Sequence, residues 1–272
     1  MPWRAPDAAT NLLVAAGSAG LHVVRPHDGG IERIAAYPTR GIALDVAGHD
    51  DRVYVAEGAA GLSCWRRGEG GILRLFDRYV PASGHSVRQV VLSHDGRHAL
   101  LATGSSRLEI VRLDVAPIRL VLTDQKPGLF YRTPISRPAA DDRFLVQWHR
   151  SGLHEYHVGA VAAAPLGPVY PFSMSTQGGA APLEQGWLAT TNGGYLVLER
   201  GHTASSPDVA IRRVAGQRLE GKPTVVGHTL FVSSPFSGEV TAVDIRDVDS
   251  PRAIGKLQLP EHNGSVHVLD GV

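Results

Sequence analysis

Histidines are the residues of this 272-residue chain whose types and positions best suit chemistry. A histidine can bind a metal ion, or act as a general acid and base near neutral pH. His85, His149 and His262 occur in the short polar stretches "SGHS", "WHR" and "EHNG" between apolar runs. If the fold brings these stretches together, the three side chains could hold a divalent metal. Alternatively, His85 and His262 could form an acid–base pair with Glu57 as a carboxylate partner.

A second set of side chains in similar stretches could bind a substrate. Cations in this set would hold an anionic group, and aromatic side chains would form apolar walls. The set consists of Arg40, Arg88, Tyr131, Arg132, Trp148, His149, Asn192, Lys222 and Phe236. Lyase, isomerase or cyclase chemistry suits these residues better than nucleophilic hydrolysis, because the chain has no Gly-x-Ser-x-Gly elbow and its lone cysteine, Cys64, falls in a predicted strand.

Other histidines have patterns that favour a structural role. His49, His94 and His228 occur in "GHDD", "SHDG" and "GHT", where the neighbouring Asp and Gly residues are typical of turns. His154 and His157 are three residues apart in a predicted strand, which directs them to opposite sides. We therefore expect no metal pair at His154 and His157.

The elements that carry these residues repeat along the chain. An eight-residue hairpin pattern occurs six times, beginning at Val14, Val55, Leu101, Val146, Leu188 and Val232. Its seventh place is glycine in every copy except the third, where it is Arg107, and successive seventh places are 41, 46, 45, 42 and 44 residues apart. Repeated glycine at one place indicates a turn with positive φ. A period in the forties with strand patterning throughout predicts a β-propeller.

Each repeat has four apolar runs, which predicts an all-β, six-bladed β-propeller with four-stranded blades and a single domain over residues 1–272. The first repeat lacks its first strand, whereas "SVHVLDGV" near the other end has nothing after it. Ser265–Val272 is therefore predicted to pair beside Leu12–Ala16, so that both termini close one blade. Residues 200–221 are interpreted as an enlarged connection between the third and fourth strands of one blade.

The predicted fold sorts the candidate residues onto two faces. In a propeller, the hairpins between second and third strands and the connections into first strands surround one mouth of the central channel. The candidate catalytic, metal-binding and substrate-binding residues all fall in or beside these segments. His49, His94 and His228 fall in turns at the opposite face.

Three stretches resemble a known family. "VYVAEGAAGLSCW", "GLHVVRPHDGG" and "SPRAIGKLQLP" after "VTAVDIRDVD" are similar to the LVIVD-repeat β-propellers of bacteria and archaea. The resemblance covers most of the chain and is clearest in the second and last repeats. It implies a propeller fold and little about chemistry, since propellers include enzymes, scaffolds and binding modules.

Composition narrows the choice of partners. The net charge is +1, and the charged residues are scattered without a basic stripe, so we expect no nucleic-acid partner. No apolar run reaches the length of a membrane span, and we expect no membrane partner. One cysteine excludes internal disulfides and favours a reducing compartment, the cytoplasm. No phosphate-binding glycine motif precedes a predicted helix, so no nucleotide cofactor is expected.

Two functions remain open from the sequence. The first is an enzyme that acts on a small molecule at the channel mouth. The alternative is a non-catalytic propeller that holds a protein or peptide on the same face.

Overall fold

A computed structural model describes most of the chain. The described residues are 11–27, 30–82, 84–104, 107–125, 135, 143–148, 152–158, 163–170, 180–183, 186–191, 194–200, 209–215, 219, 221–234, 238–258 and 266–269.

Antiparallel sheets make up the described part of the chain, and each follows the repeat seen in the sequence. The terminal sheet has the strand order β23 (Val266–Leu269), β1 (Asn11–Ala15), β2 (Leu21–His27) and β3 (Gly30–Tyr37). The second sheet has the order β4 (Asp45–His49), β5 (Arg52–Ala56), β6 (Leu62–Arg67) and β7 (Leu73–Tyr79), with a 3-10 helix at Glu69–Gly71. The third sheet has the order β8 (Val87–Leu92), β9 (His98–Thr103), β10 (Arg107–Arg112) and β11 (Arg119–Gln125).

The remaining sheets continue the same pattern. The fourth sheet has β12 (Arg143–Trp148), β13 (Gly152–Val158) and β14 (Ala163–Tyr170). The fifth sheet has β15 (Ala180–Leu183), β16 (Gly186–Thr191), β17 (Gly194–Arg200) and β18 (Val209–Ala215). The sixth sheet has β19 (Lys222–Val226), β20 (Thr229–Ser233), β21 (Glu239–Asp244) and β22 (Arg252–Gln258).

The prediction of uniformly four-stranded blades is wrong. Within the described residues there are six sheets, of which five have four strands and the fourth has three. At the place of its first strand, Ile135 forms an isolated bridge with Val146.

The interpretation of residues 200–221 as a connection is also wrong. This segment contains β18, which pairs with β17 from Gly194 opposite Ala215 to Arg200 opposite Val209. The segment therefore supplies the fourth strand of its sheet as well as the chain that leads to it.

The hairpins have the geometry that their repeated glycine predicts. Gly20 and Gly61 have φ of 87° and 89°. A Cβ at Gly20 would lie 2.3 Å from the Tyr37 carbonyl oxygen, and one at Gly61 would lie 2.2 Å from the Tyr79 carbonyl oxygen. Glycine is therefore required both for the backbone conformation and for the close approach of the outer strand.

Hairpins also join neighbouring sheets. Gly17 in the terminal sheet pairs with Ala43, which precedes β4, and Gly58 in the second sheet pairs with Val87 at the start of β8. The two backbone hydrogen bonds between Gly58 and Val87 are 2.9 and 3.0 Å long. Each of these hairpins is thereby fixed to the first strand of the next sheet.

The apolar core lies between sheets. One buried cluster joins Tyr54 and Cys64 of the second sheet to Val111 of the third, and a second joins Leu13 of the terminal sheet to Val53 of the second. Val, Leu, Ile and Ala dominate these clusters.

Pairing between β1 and β23 links the two ends of the described chain. Leu12 lies opposite Val268 and Val14 lies opposite Val266, which confirms the predicted pairing of these segments. β23 also contacts β4 and β19, the first strands of the neighbouring sheets. The first strands of the second, terminal and sixth sheets therefore lie side by side around the centre.

Candidate functional site

First strands of different sheets meet through an ion pair. The Lys222 ammonium, at the start of β19, contacts both carboxylate oxygens of Asp45, at the start of β4. The Asp45 side chain is 2% exposed and that of Lys222 is 19% exposed. Because β23 lies between these two strands, the ion pair spans the terminal sheet at the central channel.

Asp45 also satisfies backbone groups of the inner strands. Its carboxylate accepts the N–H of Val46 on its own strand and the N–H of Val90 on β8, each at 2.9 Å. The first strand of a blade has one unpaired edge, and an unpaired buried N–H is costly. Asp45 thus joins the first strands of three sheets. We did not predict it as a site residue, although a carboxylate inside the apolar run "IALDVAG" is a sequence feature that could have indicated it.

Gln89 extends this arrangement to the fourth sheet. Its amide donates to the Ile135 carbonyl and accepts the Ile135 N–H, both at 2.8 Å. Gln89 is 9% exposed. Polar side chains of the first strands therefore act as backbone partners for their neighbours.

Glu57 lies in the hairpin of the second sheet and is fully buried. Its carboxylate accepts the backbone N–H groups of Arg40 at 3.1 Å and Gly41 at 3.3 Å, the Arg78 guanidinium at 2.7 Å, and the Ser63 hydroxyl. Both oxygens are therefore engaged, and the described contacts of Glu57 position the connection into β4. Its predicted role as a carboxylate partner of His85 stays a prediction.

Four of the predicted site residues lie near the hairpins of the second and third sheets or at the starts of first strands. Arg40 is exposed, and Arg88, Lys222 and His85 are half-buried. Arg88 is the extra residue where the β8–β9 register shifts between Val87 and Gln89.

His85 lies beside the hairpin of its own sheet. A Cβ built at Gly104 would be 4.0 Å from the His85 Cβ, and the Gly104 N–H donates to the Ser86 carbonyl at 2.9 Å. The predicted roles of His85 in catalysis and in metal binding stay predictions.

Other predicted site residues lie outside the described part of the chain. These are Tyr131, Arg132, His149, Asn192, Phe236 and His262. The backbone of Trp148 ends β12, and its side chain is not described. The convergence of His85, His149 and His262, whether on a metal or on a substrate, stays a prediction.

The three histidines assigned to the opposite face lie in turns or at a strand end. His94 and His228 are exposed turn residues, and His49 ends β4. A Cβ at Gly96 would lie 2.0 Å from the His49 ring, so the ring occupies the space that glycine leaves in the next sheet. His154 and His157 lie on β13, as predicted.

Cys64 is buried in the cluster between the second and third sheets. Burial raises the pKa of its thiol to about 11. The thiolate is the nucleophilic form of cysteine, so this side chain is poorly suited to covalent catalysis at neutral pH.

Clustered metal-binding side chains and membrane-spanning helices are both absent from the described residues. In that part of the chain, no three or more His, Cys, Asp and Glu side chains are grouped so that they could hold a metal ion. No helix there has both the length and the apolar character that a membrane crossing requires.

Comparison with known proteins places the fold. No protein-family model matches the chain, and no curated protein matches its sequence. A chain in the crystal structure of a nidogen/laminin complex is 14% identical with a TM-score of 0.65, and the match covers 96% of this chain and 98% of that one. A Lactobacillus plantarum protein is 14% identical with a TM-score of 0.63, over 96% of this chain and 86% of that one.

A third similar structure has a name that refers to an activity. It is a Bacteroides uniformis protein named as a candidate 6-phosphogluconolactonase, 12% identical with a TM-score of 0.59, over 95% of this chain and 84% of that one. Together with the arrangement of sheets, these similarities show a β-propeller fold. They confirm the fold implied by the LVIVD resemblance, whereas no sequence comparison supports membership of that family.

Proposed function

We propose that the protein binds a small anionic molecule at the channel mouth where its hairpins lie, and that it is an enzyme of the lyase or isomerase class. The main support for this proposal is the state of Arg40. It is exposed, its guanidinium has no partner among the described residues, and its backbone N–H is held by the buried Glu57. An unpaired cation on a fixed backbone is suited to bind an anion with little ordering cost.

Further cations lie at the starts of neighbouring first strands. Arg88 follows the first residue of β8, and Lys222 begins β19. Lys222 is already paired with Asp45, which holds its ammonium beside the channel. These positions favour an anionic ligand. In this proposal it enters the channel from the hairpin face and binds next to the Asp45–Lys222 pair.

His85 is the proposed acid–base group. It is half-buried in the connection that precedes β8, two residues before Val87 and three before Arg88. In this proposal His85 removes a proton from a substrate carbon. In an isomerase reaction it returns that proton at another carbon, whereas in a lyase reaction the electron pair forms a double bond as the leaving group departs and takes up the proton. His149 and His262 are proposed to assist His85.

The names of two similar structures suggest the first ligands to test. Proteins from Bacteroides uniformis and Bacteroides fragilis, 12% and 10% identical to this chain, are named as candidate 6-phosphogluconolactonases. Phosphorylated sugar acids carry the negative charge that the proposed cations would bind.

Calorimetry with 6-phosphogluconate and with inorganic phosphate tests the binding step. We expect at least one of them to bind the wild type, and Arg40→Ala to weaken that binding by roughly tenfold to a hundredfold, since a charged hydrogen bond is worth roughly 1.5–3 kcal/mol. Arg74→Ala, which removes an exposed arginine from the outer strand β7, is the matched control and should bind normally. Equal binding by Arg40→Ala and Arg74→Ala would contradict the proposed site.

Deuterium exchange tests the catalytic step separately. His85→Asn should still bind the ligand, but should lose the enzyme-dependent exchange of a ligand C–H proton with D₂O, followed by NMR. Exchange by His85→Asn at the wild-type rate would exclude His85 as the acid–base group while leaving the binding site intact.

A peptide-binding function on the same face is the second candidate. Ile42 and Val80 are 57% and 53% exposed, and they lie in the connections that lead toward β4 and β8. Exposed apolar side chains beside cations are typical of a protein interface. Peptide binding that is lost in Ile42→Ser, with no binding of small anions, would favour this function.

A further inference from the structure

Apolar side chains are exposed on the outer strands, far from the channel mouth. Phe76 on β7 is 51% exposed, and Leu120 and Val121 on β11 are each 47% exposed. We propose that Phe76 and Leu120 line a groove between the second and third sheets that docks a polypeptide segment carrying large apolar and acidic side chains. This proposal is independent of the function proposed for the channel mouth.

Strand register shows that both side chains face the same groove. Leu120 lies opposite Val111, and Val111 belongs to the buried cluster between the second and third sheets. Side chains directly opposite each other on paired strands share a face. Leu120 therefore points toward the second sheet, at the outer end of that cluster.

Phe76 approaches from the other side. Arg66 is two residues after Cys64 on β6, and Cys64 belongs to the same cluster, so both point toward the third sheet. The Arg66 guanidinium carbon lies 6.0 Å from the Phe76 ring centroid, which places the ring on that face too. The two half-exposed apolar side chains thus belong to opposite walls of one groove.

A hydrogen bond joins the two sheets at the floor of the groove. The Asp77 carboxylate on β7 accepts the backbone N–H of Ile118 at 3.0 Å, which ties the second sheet to the segment entering β11. Ile118 is 8% exposed. A fixed floor under two exposed apolar walls lowers the ordering cost of binding.

Charge identifies the kind of partner. Arg66 and Arg74 lie opposite each other on β6 and β7, and so both belong to the wall that carries Phe76. Arg66 pairs with Asp51 at 2.6 Å, whereas Arg74 is exposed and has no partner among the described residues. Arg74 therefore gives this wall a positive charge that is available to a partner. It favours a partner with an acidic residue beside its apolar side chains.

A bulge determines the mode of binding. The β6–β7 register shifts between Cys64 and Trp65, which leaves Phe76 as the extra residue on the outer strand. A bulge on an edge strand disrupts the regular row of backbone groups that another strand would need. The partner should therefore bind through side chains rather than by adding a strand to the sheet.

Peptide display tests this surface. The probe is a random-peptide phage library, selected on the full-length wild type after depletion on a Phe76→Ser/Leu120→Ser variant. We expect enriched peptides that combine Asp or Glu with Leu, Phe or Trp. Their affinity, measured by fluorescence anisotropy, should fall at least tenfold on the double variant and severalfold on Arg74→Glu.

Leu75→Ser is the matched control, because Leu75 is 52% exposed on the same outer strand but lies opposite Trp65, which belongs to the cluster on the side of the terminal sheet. It should leave peptide affinity unchanged. Single Phe76→Ser and Leu120→Ser variants, checked by thermal melting, guard against loss of fold in the double variant. Three outcomes would overturn the proposal: no enriched peptide, peptides that bind the folded Phe76→Ser and wild-type proteins equally, or self-association of the wild type that Phe76→Ser abolishes. The last outcome would assign the groove to a second copy of the chain.

Discussion

Buried carboxylates in this propeller connect segments that are far apart in the sequence. Asp45 joins its own strand to Val90 and Lys222, and Glu57 joins Arg40, Gly41 and Arg78. Removing a carboxylate from water is costly, and a buried ion pair alone offsets that cost incompletely. In each case backbone N–H donors supply further bonds, so the carboxylate completes the hydrogen bonding of the backbone as well as pairing with a cation.

Replacing Glu57 tests the strength of such a site. Glu57→Gln keeps the side-chain volume but leaves Arg78, whose side chain is 18% exposed, without its anionic partner. Removing one partner of a buried pair typically costs roughly 3–5 kcal/mol. We expect the free energy of unfolding, measured with urea, to fall by about 3 kcal/mol.

An exposed ion pair of the same sheet is the control. Asp51 and Arg66 are 40% and 58% exposed, and Asp51→Asn should change the free energy of unfolding by less than about 1 kcal/mol. If Glu57→Gln were as mild as Asp51→Asn, the Glu57 network would contribute little to the fold, and Glu57 would be available for the catalytic role predicted from the sequence.

At the scale of elements, the outer strands share an irregularity. The register against the third strand shifts between Val23 and Val24, Cys64 and Trp65, Ile110 and Val111, and Ala242 and Val243. These shifts fall on the outer strands of the terminal, second, third and sixth sheets. Bulges increase local twist and interrupt the edge, which protects an exposed strand from pairing with other chains.

Hairpin glycines can be tested against a glycine with the same conformation and free space. Gly61 has φ of 89°, and its Cβ would lie 2.2 Å from the Tyr79 carbonyl oxygen, whereas Gly70 has φ of 71° and no atom within 4 Å of a Cβ. Gly70→Ala should cost about 1 kcal/mol from backbone strain. Gly61→Ala should cost roughly 2–4 kcal/mol, because the clash adds to that strain.

Thermal and urea unfolding of the two variants would measure the difference. Equal costs would mean that the outer strand moves away from Gly61 without penalty, contrary to the close packing described above.

Local features could be predicted from the sequence, and contacts between repeats could not. Repeated glycine at Gly20 and Gly61 predicted the hairpins, because a positive φ imposes a residue type. Asp45 and Gln89 were missed, because their partners Val90 and Ile135 lie 45 and 46 residues away and belong to other sheets.

For the site, a repeated strand pattern predicts where a hairpin lies within its repeat, but not what its side chains contact. The role of Glu57 depends on Arg78, on a different strand, and no pattern within one repeat specifies that contact.

At the scale of the whole molecule, β23 is the element that joins the two ends of the ring. It pairs with β1 over four residue pairs, from Asn11 opposite Leu269 to Val14 opposite Val266, and it contacts β4 and β19 on either side. The Asp45–Lys222 pair bridges those same two strands across it. Closure therefore depends on one strand and on an ion pair that lies beside it.

Deleting Ser265–Val272 tests closure directly. The deletion removes β23, so it exposes the inner edge of β1 and leaves Asp45 and Lys222 beside a gap. Loss of several kcal/mol in a domain of this size corresponds to a fall in melting temperature of roughly 10 °C or more. An exposed edge also favours association between chains, so we expect oligomers in size-exclusion chromatography at raised concentration. A synthetic peptide of residues 265–272 should restore part of the melting temperature and suppress the oligomers, whereas a scrambled peptide of equal composition should do neither. A truncated chain that remains monomeric and melts at the wild-type temperature would show that the other sheets hold the ring without β23.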